Sequence, residues 1–360
     1  MSKRLFFIAG EASGDVYGAY LIELLIQQHA EVDIIAVGGD KMKTAGATIV
    51  HHIRELSIMG FVEVVKNFSK IKGIFRSCQS HILSHKTETI IFIDFPGFNL
   101  RMANWAKSKG IHTVQYISPK VWAWKESRIT KIKKDIDTLI CVFPFEVDYF
   151  NKFNVNVHYF GNPLHHLIKS HIPGEPAIRS QKEIIGLMPG SRKQEIKRVL
   201  PVLLDLSNEL LEYEFIIGGM TLIGRSFYED ILKSNFDNVS IIMDRNYDLL
   251  HVSDYMINTS GTITLESLLF KKPQVVVYAT HPISYFIISK MIKLDHIALP
   301  NIIANQTIVP ELIQHNLTAA NIKDKLNQIQ SSDFKKNYNH IAEQLIPRNE
   351  EKLVALILGA

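Results

Sequence analysis

The sequence predicts an α/β protein built from two Rossmann-like domains, each a parallel sheet flanked by helices. Three observations predict it. Short apolar runs alternate with stretches of helical spacing along most of the chain, the pattern of strands buried on both faces of a parallel sheet. The runs end in glycine, serine or acidic residues, not in hairpin turns. The alternation also stops at a polar segment over 169–181, with Pro173, Gly174 and Pro176, and then restarts, as a linker would make it do. A chain of 360 residues can hold two such cores. The expected division is 1–168, 182–335, and a helical tail over 336–360.

Each element has its own signal. Residues 5–9 form an apolar strand ending at Gly10, and 16–28 have helical spacing. Residues 33–37 read as a strand ending at Gly38-Gly39, and 89–93 as one ending at Asp94. Strands at 113–117, 138–142 and 157–160 end at Ser118-Pro119, Phe143-Pro144 and Gly161-Asn162-Pro163. In the second half, 184–188, 214–217, 239–243, 255–258 and 274–278 read as strands. The tail from about Ile322 is helical and polar, with an apolar end over 353–358.

Composition narrows the function. Hydrophobic residues make up 46% and charged residues 21% of the chain, as in an ordinary globular protein. A net charge of +4 and a pI near 8.8 are too mild to argue for nucleic acid. They suit an anionic substrate or an anionic lipid surface. Cys78 and Cys141 lie in no CxxC or Cys/His pattern, so neither a disulfide framework nor a zinc site is expected. His51-His52 and His165-His166 are adjacent pairs, not the i, i+4 pairs of a helical metal site. The run from Leu5 to Ile8 is too short for a signal-peptide core. No segment reaches the ~20 apolar residues of a spanning helix. A cytosolic protein, or one attached to a membrane surface, is expected.

In open α/β sheets, ligands bind beyond the carboxyl ends of the strands. Those ends here carry Gly10-Glu11, Asp94, Ser118, Gly190-Ser191-Arg192 and Ser260-Gly261-Thr262. Two such domains facing each other would line a central cleft. The most informative stretch is IIGLMPGSR (184–192), a strand that stops at a Pro-Gly turn before the helix-like run KQEI. Free backbone N–H groups and a helix dipole make such a turn an anion site. Arg192 adds a planar fork suited to phosphate. SGTITLE (260–266) also follows a strand and opens a helix. Its Gly N–H and hydroxyls suit a phosphate, and Glu266 could reach a ribose diol. A capping box is the other reading, but Thr262 to Leu265 lacks the acid and Ile263 to Glu266 starts on the wrong residue.

Further motifs allow two readings each. AGEASGD (9–15) is neither a P-loop nor a dinucleotide fingerprint. Glu11 would repel phosphate but could bind a hydroxyl-rich ligand; alternatively, Ser13 or Asp15 simply caps a helix. In IFIDFPGFN (91–99), Asp94 is a lone carboxylate in apolar company, either a general base with a raised pKa or a turn former before Pro-Gly. By itself the motif favours the turn. YISPKVWAW (116–124) holds Trp122 and Trp124, which would form a stacking or acyl-contact surface or pack into the core. Met59, Phe61, Val62, Val65, Phe68, Ile71, Ile74 and Phe75 recur at helical spacing, with Lys66, Lys70, Lys72 and Arg76 among them. That is a basic amphipathic helix for a membrane interface or, more commonly, a core-facing helix.

Taken together, AGEASGD (9–15), ELSIMGFVEV (55–64), IDFPGFN (93–99), YISPKVWAW (116–124), FPFE (143–146), MPGSRKQEI (188–196), SGTITLE (260–266) and LPNIIA (299–304) resemble the lipid-A-disaccharide synthases. These are glycosyltransferases of the two-domain GT-B type, and the resemblance runs from Ala9 to about Gln314. It implies transfer of 2,3-diacylglucosamine from its UDP carrier to 2,3-diacylglucosamine 1-phosphate (lipid X). The products would be a β-1,6 disaccharide and UDP, made at the cytoplasmic face of the inner membrane. Carried onto matching positions, Gly190, Ser191 and Arg192 would hold the diphosphate, and Arg192 would stabilise departing UDP. Ser260, Gly261 and Thr262 would also bind the donor, Glu266 its ribose, and Asn301 would line its pocket. Glu11 and Asp94 would face the acceptor, with Asp94 deprotonating its 6-hydroxyl. Met59, Phe61, Val62, Val65, Phe68 and Trp122 would form the acceptor and membrane patch.

No cofactor or metal is expected, because Arg192 and backbone N–H groups would take over the charge. No nucleic-acid partner is expected either. The resemblance fits a monomer or a homodimer, since the apolar end over 353–358 either crosses back onto the first domain or exchanges with a second chain. One departure stands out: many family members carry a second Asp where this chain has Gly97, so Asp94 carries the base role alone. The rivals are another GT-B enzyme using a UDP-sugar, with a different lipid acceptor or as an epimerase, and a two-domain binding protein without chemistry. An epimerase needs no acceptor, so the 61–76 stretch and the paired tryptophans argue against it. A binding protein has no reason to place a carboxylate at Asp94.

Overall fold

The structure, a computed structural model, describes residues 2–28, 31–56, 68–123, 125–171, 180–233, 236–281, 285, 295–330 and 333–359. Met59, Phe61, Val62, Val65 and Trp124 lie outside the described residues, as does the side chain of Phe68. The chain forms two compact units, Met1–Pro163 with Leu345–Ala360, and Leu164–Gln344.

The first unit runs β1 (Lys3–Ala9), α1 (Ala12–Gln28), β2 (Val32–Gly38), α2 (Asp40–Thr44), β3 (Thr48–His52), α3 (Phe68–Ser84) and β4 (Thr89–Ile93). It continues with α4 (Pro96–Ser108), β5 (His112–Tyr116), α5 (Ile129–Asp135), β6 (Thr138–Cys141), α6 (Phe145–Asn151) and β7 (Val157–Tyr159). Its strands lie in the order β3-β2-β1-β4-β5-β6-β7, all parallel. The central strands are apolar because both faces are covered. Phe6, Ile8 and Phe92 pack against Ile74, Cys78 and Ile82 of α3 and Phe98 and Met102 of α4.

The second unit begins within α7 (Pro163–Lys169) and repeats the plan through β8 (Ile184–Met188), α8 (Lys193–Glu209), β9 (Glu214–Gly219), α9 (Arg225–Leu232), β10 (Val239–Met243) and α10 (Asn246–Val252). After these come β11 (Tyr255–Thr259), α11 (Ile263–Leu269), β12 (Gln274–Tyr278), α12 (Leu299–Ala304), β13 (Glu311–Ile313), α13 (Ala319–Gln330) and α14 (Lys335–Leu345). The strand order is β10-β9-β8-β11-β12-β13, again all parallel. Ile185, Leu187, Phe215 and Ile257 meet Ile196, Leu200 and Leu203 of α8 in its main core.

The last helix, α15 (Glu350–Leu358), belongs to the first unit and packs on α1 and β4. The Tyr20 hydroxyl donates to Glu350 at 2.7 Å, and Leu353, Val354 and Ile357 are buried. The apolar end therefore crosses back onto the first unit. Gly161 makes the return possible: its φ is +91°, and a Cβ there would strike the Ile346 carbonyl. Among the described residues, no helix is long and apolar enough to cross a membrane.

Both sheets switch direction at one place. The chain winds outward from β1 to β3, then resumes at β4 on the other side of β1; β8 and β11 repeat this in the second unit. Such a switch opens a crevice at the carboxyl ends of the two adjacent strands. In the first sheet Ala9 is in register with Ile93, so Gly10-Glu11 and Asp94 emerge side by side. In the second, Met188 is in register with Asn258, so the Pro-Gly-Ser-Arg turn and the Ser-Gly-Thr turn emerge together.

Candidate active site

At the first switch point the backbone is strained. Asp94 has φ +44° and Phe95 φ +49°, and across the crevice floor Ile117 has φ +70°. That conformation is unusual for any side chain and rarest for a β-branched one. Two fully buried amides hold it. Asn99 donates to the Asp94 carbonyl at 2.7 Å, and Gln115 donates to the Ile117 carbonyl at 3.1 Å and reaches the Asp94 carbonyl at 3.4 Å. The Phe95 ring lies where a Cβ on Gly10 would sit, so only glycine fits there.

Burial pushes the Asp94 carboxyl above the ordinary carboxylate range; nearby Lys120 pulls it back, and Glu11 pushes the same way as burial. Arg128 also faces it, and burial lowers the Arg128 pKa while Asp94 opposes that shift. The result is a desolvated carboxyl beside two cations, with its pKa above that of an ordinary carboxylate. Glu11 is exposed on the same rim.

The AGEASGD motif divides its labour. Asp15 is buried, and its carboxylate accepts from the N–H groups of Gly39 at 2.6 Å, Lys41 at 3.1 Å and Met42 at 3.1 Å. It therefore caps α2, a different helix from its own, and satisfies amides that have no partner inside that helix. Gly97 is exposed with open space around it.

At the second switch point, Gly190 has φ +125° and turns the chain into α8, with Arg192 in the extended N-cap position. The Arg192 side chain is 74% exposed and donates to Glu195 at 2.9 Å. Ser191 is exposed beside it. In the neighbouring turn Thr262 is the N-cap of α11 and makes no side-chain cap bond, which agrees with the failed capping-box spacing. The Ser260 hydroxyl donates to the Ile297 carbonyl at 2.7 Å, so it is committed to shaping the loop before α12. Gly261 and Glu266 are partly exposed, and the charge of Glu266 raises the pKa of Tyr247 further after burial has raised it.

Asn301, expected to line a donor pocket, turns its side chain into the protein. Its side chain is 0% exposed, its amide donates to Val309 and Glu311, and its oxygen accepts from Ile308 and Val309. All four of its hydrogen-bonding positions are used. Asn301 shapes the 297–309 loop, together with Glu311, which also accepts from the N–H groups of Ile297 and Ala298. Sequence reasoning missed Glu311, Gln115 and Glu146. Only Glu146 gave any signal, as the sole acid of FPFE (143–146). Trp122 is partly buried, its indole N–H donating to Glu146 at 2.9 Å. Among the described residues, no group of three or more His, Cys, Asp or Glu gathers that could hold a metal ion.

Two doubly wound parallel sheets, each with polar turns at its switch point, define the GT-B class. The chain is similar to a UDP-GlcNAc 2-epimerase from Neisseria meningitidis solved with UDP-GlcNAc, with a TM-score of 0.65, 13% identity and 100% of both chains covered. A glycotransferase of kitacinnamycin gives a TM-score of 0.67 at 11% identity, covering 99% of this chain and 98% of the other. At such identities the likeness is one of fold. The sequence profile described as lipid-A-disaccharide synthetase matches residues 5–355. The lipid-A-disaccharide synthase of Trichlorobacter lovleyi is 31% identical over 357 residues, 95% of this chain and 93% of the relative. The chain belongs to the lipid-A-disaccharide synthase family and is a glycosyltransferase that uses a UDP-sugar donor and a lipid acceptor.

Proposed function

We propose that this enzyme transfers 2,3-diacylglucosamine from its UDP carrier to 2,3-diacylglucosamine 1-phosphate, forming the β-1,6 disaccharide and releasing UDP. Asp94 accepts the proton of the acceptor's 6-hydroxyl as that oxygen attacks the anomeric carbon, and Glu11 binds acceptor hydroxyls. The bond from the anomeric carbon to the diphosphate breaks with inversion, and UDP carries away the electron pair. Arg192, with the backbone N–H groups of Gly190 and Ser191, stabilises that charge. Gly261 and Thr262 assist at the next turn, Glu266 binds the ribose, and Ser260 and Asn301 shape the adjoining loop. The first unit thus serves the acceptor and the second the donor. The observation that carries this reading is Asp94, a desolvated carboxyl held in a strained turn at a switch point.

Mass spectrometry of the product formed from the two diacylglucosamine substrates tests the reaction. Loss of either the disaccharide or UDP from the wild-type products overturns it. Asp94→Ala and Arg192→Ala are each expected to slow turnover by about 100-fold or more. UDP release at the wild-type rate from either variant overturns that residue's role.

The acyl chains of the proposed acceptor support an enzyme working at a membrane surface, and we propose the cytoplasmic face of the inner membrane, where the UDP-linked donor would be met. In sequence, Met59, Phe61, Val62 and Val65 precede α3, which starts at Phe68 and in which Lys70, Lys72 and Arg76 are exposed and Ile74, Cys78 and Ile82 are buried. A basic face of this kind suits anionic headgroups. Replacing Phe61, Val65 and Phe68 with Ser is expected to abolish sedimentation with anionic phospholipid vesicles. Unchanged sedimentation overturns the patch.

A further inference from the structure

We propose that Glu146 is a positioning residue for the acceptor site, fixing the 117–122 loop so that the Trp122 indole forms a wall for an acyl chain. The inference rests on the acceptor reading of the first unit. Glu146 is 1% exposed. One carboxylate oxygen accepts from the Ser118 hydroxyl at 2.6 Å and the Trp122 indole N–H at 2.9 Å. The other accepts from the backbone N–H groups of Val142 at 3.2 Å and Phe143 at 3.0 Å. One side chain thus ties the loop after β5 to the end of β6. Tyr149, on the same helix α6, adds a third tie by donating to the Val121 carbonyl at 3.3 Å.

The chemistry of these contacts goes beyond filling a core. Burial pushes the Glu146 carboxyl up, while its four hydrogen bonds pull it down. None of those four donors is a cation, so the arrangement is a costly way to close an interior. An apolar residue could pack there, but it could not orient an indole N–H and a hydroxyl at once. What is oriented is partly exposed and aromatic. Trp122 meets Phe145 edge-to-face at 5.0 Å, and Phe145 stacks on Phe143 at 5.8 Å. The same loop begins at strained Ile117 and carries Lys120, whose charge acts on Asp94. An apolar shelf on the loop that reaches the proposed base is where the acyl arm of the acceptor would lie.

Glu146→Gln isolates this role. An amide can keep one oxygen toward the backbone N–H pair, but its NH2 then faces Ser118 and Trp122. The serine can turn to accept; the indole N–H cannot. Acceptor KM is expected to rise roughly tenfold with donor KM changed less than about twofold, the effect of losing one charge-assisted hydrogen bond at the acceptor wall. In a Trp105→Phe, Trp124→Phe background, Trp122 emission is expected to shift to longer wavelength. Putting 3-benzothienylalanine at position 122 keeps the bicyclic ring and exchanges only the N–H for sulfur, so it should raise acceptor KM equally and add nothing to Glu146→Gln. If Glu146→Gln does not fold, the acceptor KM of the benzothienylalanine variant, which loses the same N–H donation, decides the matter. An unmoved acceptor KM, or donor and acceptor KM rising together, overturns the positioning role. A wild-type enzyme that makes no disaccharide overturns the functional reading beneath it instead.

Discussion

Asp94 occupies the left-handed region next to a second residue that does the same, and asparagine tolerates that backbone at least as well as aspartate. Asp94→Asn should therefore fold while losing the proposed base. Because burial raises the pKa of Asp94, the folded state binds more protons than the unfolded state between the ordinary carboxylate range and the raised value. Wild-type stability must fall as pH rises through that window. The asparagine variant lacks that slope, so it should match the wild type below the window and exceed it above. Urea melts across a pH series check this, and equal slopes would show that Asp94 does not titrate as argued. The residues that sequence reasoning missed have their causes in space. Glu146 meets Ser118 and Trp122 from 28 and 24 positions away. Asn301, read as a ligand contact, is consumed by a loop that only the folded chain defines. That Asp94 ends a strand and Arg192 precedes a helix was legible because strand tips and helix starts are local patterns; the role proposed for Asp94 came only with the family resemblance.

At the scale of elements, the central strands were plain in the sequence and two edge strands were not. β1 and β4 are apolar runs buried on both faces. β3 has no fully buried residue, and β13 is three residues long and opens on Glu311. These two edge strands have a neighbour on one side only and carry too few apolar residues to stand out, unlike the edge strand β10, whose VSIIM run reads as a strand. Helix α2 depends on a distant residue as well, since its first amides are capped by Asp15 of α1. Asp15→Ala should cost about 2 kcal/mol, the loss of a cap that serves several amides. A thermal melt reads that loss, and turnover per folded molecule should be unchanged at low temperature. Reduced turnover without reduced stability would move Asp15 into the site.

At the scale of the whole molecule, the chain leaves the first unit at Pro163 and rejoins it at Leu345. Leu353, Val354 and Ile357 of α15 are at most 2% exposed, and burying each stabilises the first unit by roughly 1.5–3 kcal/mol. Deleting residues 350–359 should lower the unfolding transition of the first unit and speed hydrogen exchange in β1 and β4. Exchange in β8 and β11 should hardly change; an equal loss in both sheets would contradict the division into units. The same return sets a timetable during synthesis. Residues 345–360 emerge from the ribosome only after the entire second unit. The nascent first unit must therefore wait with the seam on α1 and β4 uncovered, and the half of the enzyme that is translated first is the last to be completed.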